Sequence, residues 1–311
     1  MGIAHWDELE KYRNERGQMA ATWTNLGTPA GSYRCGVHRI EMAPGEQPTP
    51  AHVHGESEEI FYVLGGSGLT WMDEQAYEIR EGDCIVYKNF HEAHTLRAGD
   101  DGLDVLAFGP REYFTSSSLP RAGLMWGIVG VVEETPIEQL HPWDREPPIE
   151  WPEPAPERPS TIVNVSDVEP NVHGGRRRSD LGRAAVSRWT GLKHVECDAG
   201  TLSVVPHVHS MEEEIFVVLD GDGMLELWPC APDGGDVERH PVRRGSVVAQ
   251  PPGMRVAHTF RAGDAGLTLL AWGTREPGDL TYYPRSRKVY FPGGVLGRIE
   301  PLDYWDGESL E

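Results

Sequence analysis

A His-x-His-x4-Glu pattern occurs twice in this chain. It contains the side chains that are best suited to chemistry. Its members are His52, His54 and Glu59 in the first copy and, 155 residues later, His207, His209 and Glu214 in the second. Between 52–68 and 207–223, eleven of seventeen positions are identical. Imidazole nitrogens and a carboxylate oxygen are common ligands of divalent transition metals. The repeat therefore predicts two metal sites.

A further histidine follows each copy in a second repeated stretch. The segment His-Thr-Leu-Arg-Ala-Gly-Asp begins at His94, and His-Thr-Phe-Arg-Ala-Gly-Asp begins at His258. Because the likeness extends well beyond one motif, each half of the chain reads as a copy of a whole module. Each module is expected to supply three histidines and one glutamate.

The spacing explains how such side chains could meet. On a strand alternate residues share a face, so His52 and His54 point the same way. Glu59 follows after a gap that can hold a turn, and His94 would reach the set from a later strand. Three nitrogens and one oxygen leave open positions for water or substrate, which is typical of a catalytic metal site. The alternative, ordinary histidines beside an acidic run, is disfavoured because the whole set recurs.

The glutamates are predicted to have different roles according to the face they occupy. Glu59 and Glu214 are candidate catalytic residues as well as ligands, because a carboxylate can shift between binding metal and accepting a proton. Their neighbours Glu58 and Glu213 fall on the opposite face, so we expect them either to face solvent or to support the ligands from just outside the set.

Composition excludes several classes of function. The 311 residues include 49 acidic and 28 basic ones, a net charge of -21 that argues against nucleic-acid and membrane binding. The four cysteines are widely spaced, which favours reduced thiols. No apolar run approaches the ~20 residues of a membrane span, and the charged N-terminus lacks a signal core. We expect a cytoplasmic protein.

The chain pattern predicts two all-β units. Eight prolines lie between Pro136 and Pro159, which marks a spacer separating two cores. The expected boundaries are an N-terminal domain at 1–140, a Pro-rich linker at 141–160 and a C-terminal domain at 161–311. Short apolar runs cut by turn residues favour strands throughout.

Three local features of the sequence add to these expectations. The only candidate helix is 7–16. The run Gly65-Gly66-Ser67-Gly68 is read as a hairpin turn, since it lacks the Lys and helix of a phosphate loop. Five aromatic residues could line a substrate pocket or belong to the core, namely Trp71, Tyr87, Phe108, Trp228 and Trp272.

Both copies resemble the first motif of the cupin family. The matching patterns are Gly45-x6-His52-x-His54-x4-Glu59-x6-Gly66 and Gly200-x6-His207-x-His209-x4-Glu214-x6-Gly221. Gly82 with His94, and Gly245 with His258, resemble the second motif, although Lys88-Asn89-Phe90 replaces the usual Pro-x-Gly and leaves His91 as a rival to His94. The segment from Tyr282 to Val289 is similar to one in uncharacterised bacterial cupins.

The resemblance implies a bicupin, with two tandem jelly-roll β-barrels joined by the Pro-rich linker. It further implies one divalent transition metal per domain, Fe, Mn, Ni or Zn, and a small oxygen-rich substrate. A dioxygenase-type reaction is the first hypothesis. The alternatives are a non-redox lyase or hydrolase, similar to oxalate decarboxylase or ureidoglycine aminohydrolase, and a non-catalytic metal-binding or ligand-binding bicupin. Because cupin barrels often pair, a homodimer is a further expectation from the resemblance.

Overall fold

Strands make up nearly all the regular structure of the chain. The computed structural model describes residues 2–90, 92–111, 116–127, 130–132, 141–230, 235–300 and 302–310. The strands of the first half are β1 (Gly2–His5), β2 (Lys11–Arg16), β3 (Met19–Asn25), β4 (Cys35–Met42), β5 (Val53–His54), β6 (Glu59–Met72), β7 (Gln75–Arg80), β8 (Asp83–Tyr87), β9 (His94–Pro110), β10 (Ser116–Leu119), β11 (Leu124–Gly127) and β12 (Gly130–Val132).

The second half repeats this arrangement. Its strands are β13 (Ile162–Asn164), β14 (Asn171–His173), β15 (Arg176–Asp180), β16 (Thr190–Cys197), β17 (Val208–His209), β18 (Glu214–Pro229), β19 (Glu238–Arg243), β20 (Ser246–Gln250), β21 (Val256–Thr274), β22 (Thr281–Tyr283), β23 (Lys288–Phe291) and β24 (Val295–Arg298). One short helix, α1, covers Leu181–Ala184, and 3-10 turns cover Trp6–Glu8, Pro142–Arg145, Val165–Asp167 and Pro284–Ser286. In the part of the chain described, no helix has the length and apolarity to cross a bilayer.

Each half folds into antiparallel sheets that close into a jelly-roll barrel. The first large sheet has the order β13-β8-β6-β9-β4-β3-β2, with β7 paired to β6. The second has the order β1-β20-β18-β21-β16-β15-β14, with β19 paired to β18. Two smaller sheets, β12-β11-β10-β5 and β17-β22-β23-β24, carry the His-x-His strands. The prediction of an all-β fold with two tandem barrels is confirmed.

The glycine-rich run is part of a strand, so the predicted hairpin turn was wrong. Residues 65–68 lie inside β6, and the pairing of β6 with β9 shifts register there. Gly66 has φ +77°, and a Cβ on it would lie 2.2 Å from the carbonyl oxygen of Gly102. Only glycine fits this close approach with left-handed backbone, and the resulting bulge bends a continuous strand around the barrel.

We expect Gly66→Ala to destabilise the fold by at least about 2 kcal/mol, because strain at positive φ adds to the clash with Gly102. Gly45→Ala is a matched control, since Gly45 also has φ +77° but nothing lies within 4 Å of the Cβ position. Urea unfolding of both variants measures the difference. Equal losses of stability would contradict the clash argument.

Two strands cross between the halves. The N-terminal strand β1 pairs with β20 of the second sheet, and β13, which follows the linker, pairs with β8 of the first. The predicted helix at 7–16 was wrong, because Lys11–Arg16 forms an edge strand paired with β3. The boundaries 1–140, 141–160 and 161–311 stay a prediction, and both strand exchanges cross them.

The halves also share a hydrophobic core. The sequence pattern predicted two cores separated by a spacer and did not predict this shared one. Each barrel has its own apolar cluster, but a third cluster joins buried residues of both halves. Within it Phe108 stacks on Trp272 with ring centroids 6.2 Å apart. The described part of the linker follows the first barrel, where Ala155 donates a backbone hydrogen bond of 2.8 Å to Ala76. The two modules are therefore packed as one body.

Glu58 and Glu213 hold this interface together, so the prediction that they face solvent was wrong. Glu58 is 3% exposed and accepts backbone hydrogen bonds from Arg188, Trp189 and Thr190 of the second half, at 3.1, 2.9 and 2.7 Å. Glu213 is fully buried and accepts from the backbone of Tyr33 and Arg34, at 3.2 and 2.6 Å. The opposite face of each ligand strand is the other module.

Candidate metal centres

Four side chains of the first barrel meet at one point. The Nε2 atoms of His54 and His94 both lie 3.1 Å from Oε2 of Glu59, and Nε2 of His52 lies 3.8 Å from it. The backbones of His52 and His94 form an isolated bridge, which joins the short His-x-His segment to the start of β9. The structure thus brings together all four residues that the sequence assigned to this site.

The second barrel repeats the arrangement. The Nε2 atoms of His207 and His209 lie 3.4 Å from Oε2 of Glu214, and that of His258 lies 3.1 Å from it. His258 bridges to His207 as His94 does to His52. All four donor atoms of the first barrel, and those of His207, His209 and Glu214 in the second, are close enough to share one cation.

The remaining ring nitrogens orient the imidazoles. Nδ1 of His52, His94 and His207 lies 2.9, 3.1 and 3.0 Å from a backbone carbonyl oxygen. A carbonyl only accepts, so Nδ1 carries the proton and Nε2 offers its lone pair to the shared point. Nε2 of His54 and of His258 is buried and makes no hydrogen bond in the described structure, although a glutamate oxygen lies 3.1 Å from each. Such orphaned donors fit a metal ion.

Electrostatics hold one histidine and the glutamate of each site in the forms that bind metal. Burial, together with neighbouring histidines, lowers the pKa of both His94 and His258 to about 4, so these rings are neutral near neutral pH. Burial opposes charge on Glu59 and Glu214, yet the facing imidazoles hold the pKa of both carboxyls well below the usual range. A neutral imidazole and an ionised carboxylate are the states that bind metal.

The structure places His94 beside His52, His54 and Glu59. It lies at the start of β9, and its ring stacks on Tyr87 with a centroid distance of 3.8 Å. His91, the rival candidate, lies outside the described residues. The Tyr87 hydroxyl in turn lies 2.8 Å from Oγ1 of Thr70, so the ring that supports His94 is itself held in place.

The second site carries acids that its sequence motif did not reveal. Oδ2 of Asp279 accepts a 2.6 Å hydrogen bond from Nδ1 of His209, and Oε2 of Glu212 lies 3.7 Å from the same nitrogen. Burial opposes charging of His209, but Glu214 and Asp279 raise its pKa to about 10. The second site thus favours a positive charge. Burial raises the pKa of Glu212 to about 7.

Each ligand set opens into a cavity, and the two cavities differ in size and lining. The first measures about 220 Å³ and is lined beyond the ligands by Trp23, His38, Ile40, Phe61 and Arg111, among others. The second measures about 530 Å³ and is lined by charged and phenolic groups that include Arg178, Lys193, Glu212, Arg275 and Tyr283. The repeat in sequence therefore encloses two chemically different spaces.

The five aromatic residues singled out from the sequence are absent from both described cavity linings. Phe108 and Trp272 belong to the shared core, and Tyr87 supports His94. Of the lining residues that sequence reasoning did not assign to a site, Arg111 and Arg275 had a usable signal. They occupy matching places in Gly109-Pro110-Arg111-Glu112 and Gly273-Thr274-Arg275-Glu276.

Known proteins share both the motif and the architecture. The model of the cupin domain family matches residues 38–108. An uncharacterised protein of Methanocaldococcus jannaschii, MJ1618, is 41% identical over 44 residues, which span 14% of this chain and 35% of that protein's length. The match thus covers about a third of the curated relative.

Solved structures of oxalate decarboxylases share the fold across most of the chain. That of Bacillus subtilis, which has Mn(II) centres, superposes with a TM-score of 0.61 at 16% identity and covers 90% of this chain and 78% of that one. That of Lactobacillus farciminis, in a formate complex, gives a TM-score of 0.63 at 15% identity over 88% and 86%. The chain thus contains a cupin domain at 38–108, and its second half repeats the barrel, which gives the two-barrel architecture that these structures have.

Proposed function

We propose that this bicupin is a metal-dependent enzyme acting on a small oxygen-rich acid, with one divalent transition metal ion held in each barrel. The observation that carries the proposal is the convergence of three Nε2 atoms on one carboxylate oxygen in each half, at 3.1 to 3.8 Å. Orphaned nitrogens on His54 and His258 support it, because buried polar atoms without partners are costly unless an ion satisfies them.

We assign the main reaction to the second barrel. A metal ion bound there would supply a Lewis acid with open positions for a substrate oxygen. Glu214 would anchor it, and the Asp279 carboxylate would orient His209 through the 2.6 Å hydrogen bond to Nδ1. Glu212 lines the cavity outside the ligand set, and its carboxyl, which accepts one backbone hydrogen bond from Glu276, would give or take a proton at the substrate.

The substrate class follows from the charge of the second cavity. Arg178, Lys193 and Arg275 line it beside acids that have hydrogen-bond or ion-pair partners, although the chain as a whole carries a net charge of -21. A local cluster of cations in an acidic protein attracts and orients an anion. Small carboxylic acids fit both this lining and the open positions of the metal, and the structural relatives named above are oxalate decarboxylases.

Proton-transfer chemistry on an acid, of the decarboxylase or hydrolase kind, is thus our first assignment. A dioxygenase-type reaction is the second candidate, and the lining of the first cavity favours it there. Trp23, Ile40 and Phe61 provide an apolar and aromatic wall, which suits dioxygen and a flat phenol or enol. Either reaction type uses the same ligand set.

Metal analysis and gas exchange test this proposal together. We expect purified chain to bind about two divalent transition ions after loading with Mn²⁺ or Fe²⁺, one for each ligand set. Incubation with small dicarboxylic and hydroxy acids should release CO₂ or a cleaved product without oxygen uptake. Oxygen uptake with catechols or diketones would instead support the dioxygenase. If two ions bind but no compound of the panel is turned over, the protein is a metal-binding protein, and the proposal that it is an enzyme is contradicted.

A further inference from the structure

The strand register places cationic residues in the second barrel at positions that are aromatic in the first. Gly109 lies beside Glu59, and Gly273 lies beside Glu214. The two halves can be aligned by counting residues along the strands from these two glycines. The matched pairs are Gly36–Gly109 with Gly191–Gly273, His38–Ala107 with Lys193–Ala271, and Trp23–Ile40 with Arg178–Val195. Lys193 therefore stands where the first barrel has His38, and Arg178 where it has Trp23.

The cations at these positions have no ion-pair partner among the described residues. Nε of Arg178 is buried without a hydrogen-bond partner, and both Arg178 and Lys193 are half-buried on the cavity wall. Holding charge partly out of water without a partner is unfavourable. An anionic ligand in the cavity would remove that penalty.

The acids of the second cavity, by contrast, are engaged elsewhere. Asp279 accepts from His209, and Glu276 pairs with Arg34 of the first half. Asp180 accepts the backbone N–H of Arg183 at 3.1 Å and so caps α1. Glu212 accepts a backbone hydrogen bond of 3.2 Å from Glu276. Each of these acids thus has a hydrogen-bond or ion-pair partner, whereas the charged groups of Arg178 and Lys193 have none among the residues that the structure describes.

We infer that Arg178 and Lys193 determine specificity by binding a second acid group of the substrate, while the first acid group occupies the metal. This inference rests on the function proposed above and narrows its substrate to diacids. In an ideal sheet two strand spacings and two residues of rise separate Lys193 from Glu214, roughly 12 Å between Cα atoms. A two-carbon diacid would place both carboxylates on the metal. Longer diacids would reach the two cations.

A charge-neutral double variant tests the inference. Calorimetry would measure the binding of malonate, succinate and glutarate to the Mn²⁺-loaded full-length chain. Each diacid is compared with the monocarboxylate of the same carbon number. We expect the natural chain to prefer at least one diacid by roughly tenfold, the size of a charge-assisted contact. Arg178→Met with Lys193→Met should reduce that preference to about twofold or less.

Matched variants separate charge from folding. Arg178→Lys with Lys193→Arg keeps both charges and should keep the preference, whereas Trp23→Met with His38→Met alters the equivalent positions of the first barrel and should not change it. Elemental analysis should give the same metal content in all four proteins. A preference that survives the charge-neutral change, or its absence from the natural chain, overturns the inference. Loss of metal from the second site of the natural chain would instead overturn the proposed function.

Discussion

Glu58→Ala should destabilise the entire chain by about 3–5 kcal/mol. The substitution removes a buried carboxylate and leaves the hydrogen-bond donors that this carboxylate satisfies without an acceptor. The backbone N–H groups of Arg188, Trp189 and Thr190 all donate to this side chain, as does the Thr190 hydroxyl at 3.0 Å. Since the halves share a core, both barrels should unfold in one transition at lower urea concentration. Tryptophan fluorescence and circular dichroism would follow it.

Glu58→Gln provides the control for this prediction. An amide keeps the size of the side chain and one accepting oxygen, so its loss of stability should be smaller than that of alanine. Glu213→Ala, the equivalent change in the other half, should have a comparable effect because Glu213 accepts from the backbone of Tyr33 and Arg34. Two separate unfolding transitions, or a change below about 1 kcal/mol, would show that the modules are energetically independent.

The interface carboxylates Glu58 and Glu213 also connect the two cavities. The turn that Glu58 holds includes Ser187, whose carbonyl accepts a 2.7 Å hydrogen bond from Arg275 on the wall of the second cavity. In the other half Glu213 holds the backbone of Tyr33, and the preceding Ser32 accepts a 3.1 Å hydrogen bond from Arg111 of the first cavity. A variant at Glu58 should therefore disturb the second cavity more than the first.

His258→Gln should remove about one metal ion per chain and lower turnover of the acid substrate at least about 100-fold, since a direct ligand matters more than its outer-shell partners. Glutamine retains polarity at a site that is 1% exposed, which limits damage to the core. Elemental analysis and steady-state kinetics measure the two effects.

His94→Gln is the matched variant in the first barrel. It should also remove about one ion, but most acid turnover should remain, because the anion-binding side chains Arg178 and Lys193 lie in the second cavity. If His94→Gln abolishes turnover while His258→Gln leaves it intact, the assignment of the reaction to the second barrel is wrong. Loss of both ions from one substitution would mean that the sites are coupled.

Much of each candidate metal centre could be predicted from the sequence, because the relevant rules are local. Strand alternation places His52 and His54 on one face, and the repeat identifies Glu59 and His94 as their partners. The same alternation put Glu58 on the opposite face, correctly, but could not say what covers that face. Burial against the other half depends on contacts more than 100 residues distant in the chain, such as the 132-residue separation of Glu58 and Thr190.

The glycine-rich run shows a second limit. A sequence of this kind is compatible with a hairpin turn or a bulge, and the choice depends on whether a partner strand continues past it. In β6 the partner β9 does continue, so Gly66 bends the strand where the sequence suggested an end. Similarly, Lys11–Arg16 becomes a strand because β3 offers it an edge to pair with.

The sequence by itself determined the all-β class, the tandem repeat and the residue types of both ligand sets, since these follow from short-range periodicity and from direct comparison of the two halves. Only the tertiary structure decided how the barrels share a core and what surrounds each ligand set. Cross-strand register places Trp23 and His38 in one cavity and Arg178 and Lys193 in the other. That register is set by pairing between distant strands, so no local pattern reveals it.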